Sequence, residues 1–194
     1  MIAFSYAGDL SADGLTVALN GLLPPDVAVR GIRRAARGFH PRHAARYREY
    51  RYTVWNGPRS PLRERTSLRV RTELDIGAMA GAGQAFVGRH DFSAFGGADP
   101  QPIRTVFAVR VRRVGQMVTI DVRADAFLRG MVRRMVAALI AVGQGKIEET
   151  AIASALAERG PALAGAAAPA RGLCLRRVAL GRRQQRTSGE HEER

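Results

Sequence analysis

Cysteine is nearly missing from this chain: Cys174 is the single one in 194 residues. No internal disulfide can form, and the usage fits a cytoplasmic protein, because oxidising compartments tend to select paired cysteines. In its Leu-Cys-Leu setting Cys174 reads as a small buried side chain rather than a nucleophile. No apolar run reaches the roughly 18 residues of a membrane-spanning helix. The opening MIAFSYAGDLSADG also lacks the basic start and apolar stretch of a secretory signal. No repeat at a fixed period and no long linker interrupts the chain. Lysine is scarcer than composition alone would suggest, with Lys146 standing against thirty arginines. Coding bias accounts for arginine in place of lysine. It does not account for 31 basic residues against 17 acidic ones, a formal charge of +14. That excess points to a polyanionic partner, since each neutralised phosphate releases condensed counterions.

What is present can fold. A hydrophobic content of 46% over 194 residues furnishes a core for one large domain or two subdomains. Ile2, Phe4 and Tyr6 alternate as a short strand, and Ser11 is placed to cap a helix through Leu15, Leu19 and Leu22. Pro24 and Pro25 make a turn before a further short strand at Val27 to Arg30. Asp75 precedes a helical stretch from Ile76 to Val87, weakened by Gly77, Gly81 and Gly83 at about 1 kcal/mol each. From Thr105 to Arg123 the pattern is a hairpin. Phe107, Val109 and Val111 share a face before Gly115-Gln116, where glycine permits the positive φ of the turn, and Val118, Ile120 and Val122 follow. Leu128, Met131, Val132, Met135, Val136, Leu139 and Ile140 then recur at helical spacing until Gly143. Mixed strands and helices with a hairpin predict an α+β fold. The closing GRRQQRTSGEHEER, from Gly181 to Arg194, is too polar to offset its ordering entropy and is expected to be disordered.

The richest stretch is FHPRHAARYREYRYTVWN, residues 39 to 56, in which four arginines interleave with three tyrosines. This composition makes a candidate nucleic-acid surface. From Arg48 it alternates as a strand, placing Tyr50, Tyr52 and Val54 on one face and Glu49, Arg51, Thr53 and Trp55 on the other. Taken alone, Tyr50 and Tyr52 are strand residues with a packed face, and Arg129, Arg133 and Arg134 are solvated charges beside an apolar helix stripe. His40 and His43 lie three apart, but Pro41 intervenes and no cysteine pair accompanies them, which argues against a metal. His90 beside Asp91 does not make a catalytic dyad, because adjacent residues rarely face each other. Phe92 and Phe95 read as core anchors.

Three further segments follow in order: His90-Asp91-Phe92-Ser93-Ala94-Phe95 with Arg104-Thr105, Ala126-Phe127-Leu128-Arg129-Gly130-Met131-Val132-Arg133, and Pro169-Ala170-Arg171-Gly172-Leu173-Cys174-Leu175. Together with the tyrosine strand they closely resemble the tRNA pseudouridine synthase A family, and they span nearly all of the folded chain. The resemblance implies a largely antiparallel sheet with flanking helices, built as two related halves with the first incomplete here. Residues 1–38 would be a remnant of the N-terminal subdomain, 39–180 the C-terminal pseudouridine-synthase subdomain, and 181–194 a polar tail. It also implies isomerisation of uridine to pseudouridine in the anticodon stem-loop of tRNA, with no cofactor, no metal, tRNA as partner and a homodimeric state. An aspartate attacks the nucleoside, and the base detaches, turns and reattaches through carbon. Tyr50 falls on the family's base-facing tyrosine, implicated in removing the C5 proton, and Arg133 on the arginine that ion-pairs with the aspartate.

That aspartate belongs to a G-R-T-D-A-G-V-H motif, and no Arg-Thr-Asp occurs in this sequence. Asp9, Asp13, Asp91, Asp99, Asp121 and Asp125 stand in unlike contexts, so the nucleophile is carried onto none of them. The expectation is a chain lacking an upstream portion, through a start assigned too late or a real truncation, and therefore inactive by itself. The alternative is a non-enzymatic RNA-binding remnant of the family.

Overall fold

The computed structural model describes residues 1–158 and 166–181. The expectation of disorder for the polar tail falls, from residue 182 onward, outside the described residues. The described chain falls into two units, Met1–Ala44 and Ala45–Gly181.

In the first unit the helix capped by Ser11 forms as expected. Helix α1 (Ala12–Leu22) starts with the Ser11 hydroxyl accepting from the Gly14 N–H at 3.1 Å. Neither expected strand forms. Ile2, Phe4 and Tyr6 are 84%, 58% and 46% exposed; a strand needs a neighbour for its peptide groups, and this unit holds no other strand among its described residues. At Val27 to Arg30 a side chain takes the neighbour's place. The Asn20 amide donates to the Val29 carbonyl at 3.0 Å and accepts from the Val29 N–H at 2.7 Å, so both peptide groups are satisfied without a ladder.

The second unit is α+β, with a mostly antiparallel six-stranded sheet. Strand β1 (Ala45–Trp55) lies antiparallel to β5 (Met117–Ala124), which pairs with β4 (Ile103–Val114), which pairs with β3 (Gly88–Asp91). The other side of β1 carries β6 (Leu173–Leu180) along Ala45 to Tyr52 and the short parallel β2 (Leu68–Arg69) at Val54 and Trp55. Helix α2 (Pro61–Glu64) links β1 to β2. Helix α3 (Ile76–Gln84), capped by the Asp75 carboxylate on the Ala78 N–H at 2.9 Å, ends one turn before Val87. Helix α4 (Met131–Gly143) and α5 (Ala151–Glu158) follow β5.

One face of the sheet makes the core. Tyr52, Val54, Val118, Ile120 and Val122 are fully buried beneath Met131, Met135, Val136 and Leu139 of α4 and Met79 of α3, with Phe86, Phe92 and Phe95 filling the same cluster. The alternation of β1 and the stripe of α4 thus meet each other, as their periods require. Two expectations fail locally. Phe107 does not share the inward face of Val109, because a bulge at Val106–Ala108 opposite Ala124 and Arg123 inserts one extra residue. Val106 turns in at 1% exposure and Phe107 out at 44%. Cys174 is exposed rather than buried. It pairs with Arg51, whose side of β1 is the open face, while Leu175, beside Tyr50, stays 45% exposed at the sheet edge.

Candidate active site

Tyr50 sits on the core-facing side of β1 at the strand's midpoint, two residues before Tyr52, where that face is only partly covered. Its ring meets Phe127 edge-on, with centroids 5.1 Å apart, an arrangement that fixes the ring plane beyond simple burial. Opposite the Glu49–Tyr50 step the β6 register shifts from Arg177 to Leu175, leaving Arg176 as an extra residue. Such bulges re-aim neighbouring side chains.

Phe127 also leads into α4. The turn from β5 is held by Asp125, whose carboxylate accepts from the Thr105 N–H at 3.0 Å and the Ala126 N–H at 2.6 Å. Gly130 then takes φ 75° at the N-cap, a left-handed conformation that starts the helix with no side-chain cap. The uncapped N–H groups carry partial positive charge. Around them Arg129, Arg133 and Arg134, with Gly97, Gly130 and Ala167, line an open depression of about 390 Å³. Arg129 is exposed, and Arg134 turns back to donate to the Arg129 carbonyl at 3.3 Å.

Arg133 is half-buried. Its Nε donates to the Ala168 carbonyl, and the Ala168 N–H donates back to the Arg133 carbonyl at 3.1 Å. Among the described residues no carboxylate is paired with it. Neither hydrogen bond nor ring contact joins Arg133 to Tyr50; Phe127 and the start of α4 connect them.

Several aspartates of this unit have structural partners. Asp121 holds Arg51 through two bonds of 2.7 and 2.8 Å, which raise the guanidinium further above its ordinary range against the cost of its desolvation. Asp99 pairs with Arg104 at 3.3 Å, and Asp91 accepts from the Ser93 N–H at 2.9 Å. The open face of the sheet, by contrast, gathers Arg51, Arg110, Arg112 and Arg123 around Glu49 and Asp121. Arg123 and Arg177 also lie over the Tyr47 ring at 5.4 and 5.8 Å.

Sequence reasoning missed Tyr52 and Ala168. The Tyr52 hydroxyl donates to the Pro169 carbonyl at 2.7 Å, and burial pushes its pKa up to about 12 against the nearby charges of Arg133 and Arg171. The two tyrosines look alike in sequence. A pairing with residue 169 has no local signal.

Fold and site define a mostly antiparallel-sheet protein with an aromatic ring braced midway along one strand and an arginine-rich helix start following the bracing residue. Residues 82–179 match the family model described as tRNA pseudouridine synthase, and the chain belongs to that family. It is 44% identical over 164 residues to the tRNA pseudouridine synthase A of Geobacter sulfurreducens, covering 82% of this chain and 67% of that one. With the tRNA pseudouridine synthase A of Geotalea daltonii the identity is 40% over 179 residues, 90% of this chain and 73% of the other. With that of Myxococcus xanthus it is 43% over 165 residues, 82% and 62%.

Proposed function

We propose that this chain carries the base-holding and carboxylate-orienting part of a tRNA pseudouridine synthase acting on the anticodon stem-loop, in the cytoplasm and as a homodimer. The observation that carries the reading is Arg133: a half-buried guanidinium, held by one carbonyl and without a carboxylate partner among the described residues, beside a depression ringed by Arg129 and Arg134. A fixed cation there keeps an incoming aspartate ionised and aimed. Tyr50, braced by Phe127, offers an aromatic wall for a uracil taken out of its stack. In the isomerisation the C1′–N1 bond breaks, the base turns, and a C1′–C5 bond forms; C5 loses its proton and N1 gains one. Tyr50 is the group that assists the C5 proton's departure in this reading. The surrounding arginines take the phosphates.

The nucleophile is an aspartate in an Arg-Thr-Asp setting, which these 194 residues do not contain. Arginine and a neutral phenol cannot readily replace a carboxylate in attacking the nucleoside. We therefore expect the 194-residue chain to bind tRNA without converting it, and a form joined to a Gly-Arg-Thr-Asp segment to convert it. The same lack favours a second reading, an RNA-binding protein with no isomerase activity in either form. Quantifying pseudouridine in tRNA after incubation with each form separates these readings. Efficient conversion by the 194-residue chain would refute the missing-nucleophile account, and an inactive extended form would favour the second reading. Sedimentation of both forms tests the dimer.

A further inference from the structure

Arg133 is oriented through the segment from Ala168 to Gly172, and that segment is itself held from the core. Four observations place it. Ala168 exchanges both of its peptide groups with Arg133, its N–H to the Arg133 carbonyl at 3.1 Å and its own carbonyl from the Arg133 Nε. The next carbonyl, that of Pro169, accepts the Tyr52 hydroxyl at 2.7 Å. Tyr52 is fully buried under the covered face of β1, so its ring cannot follow the segment if the segment shifts. Finally, Gly172 lies so close that a Cβ there would stand 2.7 Å from the Tyr52 ring and 2.8 Å from the Thr53 carbonyl oxygen. The same tyrosine therefore pins the segment at Pro169 and at Gly172, the two ends of a four-residue stretch next to Ala168.

We propose that Tyr52 is a positioning residue for Arg133: its hydroxyl fixes the Pro169 carbonyl, and through the adjoining Ala168 carbonyl fixes the plane of the guanidinium. The inference rests on the reading of Arg133 as the carboxylate's partner. A guanidinium presents its donors in a rigid fork. Once Nε is committed to Ala168, the outer edge carrying both Nη groups points one way and is the edge left for bidentate pairing with a carboxylate. Without the hydroxyl, the Pro169 carbonyl loses its buried donor and the segment gains freedom that passes directly to Nε.

The structural test uses the 194-residue chain. In ¹⁵N spectra, the Arg133 Nε–H is assigned by its loss in Arg133→Lys, and its hydrogen-exchange protection is measured in Tyr52→Phe. Protection should fall at least about tenfold, while Val54→Ala, which loosens the same strand by packing alone, should leave it unchanged. Gly172→Ala forces the segment away from Tyr52 while the hydroxyl remains in the protein, and should reproduce the loss, so the proposal stays testable if Tyr52→Phe fails to fold. Unchanged Arg133 Nε–H protection in either folded variant would overturn it. In the aspartate-bearing form, Tyr52→Phe should lower kcat at least about tenfold with KM for tRNA unmoved, and should add little to the loss caused by Arg133→Lys. Full turnover in Arg133→Lys would sink the carboxylate-partner reading. Impairment by Arg133→Lys with full turnover in Tyr52→Phe would sink the positioning role alone.

Discussion

Two tyrosines two residues apart on β1 have different surroundings, and the difference is testable at each. Tyr50 meets Phe127 edge-on where the sheet face is only partly covered. Removing its hydroxyl leaves that ring contact, so Tyr50→Phe in the aspartate-bearing form should retain tRNA affinity and lose turnover. Filter binding and single-turnover assays on one preparation check both halves, and an unimpaired Tyr50→Phe would remove the hydroxyl's role. Tyr52, in contrast, is buried with a pKa pushed from 10.0 to about 12. The unfolded phenol ionises first as pH rises, so the folded state binds the extra proton between those values and stability falls across that window. The contribution is fully present below pH 10.0 and lost as pH passes about 12, amounting to roughly 2 to 3 kcal/mol at 1.36 kcal/mol per pH unit. Urea unfolding of wild type and Tyr52→Phe from pH 9 to 12 should show the alkaline decline shrink in the variant.

At the scale of elements, β4 shows how one extra residue reassigns burial. The bulge at Val106–Ala108 turns Val106 into the core and Phe107 outward. Val106→Ala should therefore cost about 1 to 3 kcal/mol, whereas Phe107→Ser should stay within about 0.5 kcal/mol. A register without the bulge would reverse the order, and denaturant midpoints of the two variants decide it. Strand β6 carries a second such device, the Arg176 bulge opposite the Glu49–Tyr50 step of β1. On the open face, Asp121 is 9% exposed beneath Arg51. Asp121→Ala would leave that guanidinium half-desolvated without its partner and should cost about 1 to 3 kcal/mol, read by the same unfolding titration.

For the molecule as a whole, the governing quantity is charge. A formal +14, with arginines at the α4 start and across the open sheet face, makes phosphate contact the main source of affinity for tRNA. With Z such contacts, log K against log salt should fall with a slope of about −0.7Z to −0.9Z. Affinity for tRNA that does not change between low and high salt would refute this, and titrations at several salt concentrations suffice. Charge sets the strength of such an encounter but not its chemistry.

Period and composition alone determined much of this protein. The alternation of β1, the hairpin about Gly115, the stripe of α4 and the caps at Ser11 and Asp75 follow from local geometry, which repeats every two or 3.6 residues whatever lies beyond. Tyr50 and Arg133 were legible as candidates only through the order of the four segments, since neither differs locally from a strand tyrosine or a helix-margin arginine. Other features were decided by partners distant in sequence. Ile2 to Tyr6 has strand periodicity and no strand to pair with among the described residues of its unit, and Val29 satisfies its peptide group on Asn20 instead. Cys174 faces outward because β6 pairs with β1 in a bulged register. The link from Tyr52 through Pro169 and Ala168 to Arg133 spans 117 residues of sequence. Hydrogen bonds of that reach have no periodicity to betray them; they exist only once the sheet and α4 have brought their ends together.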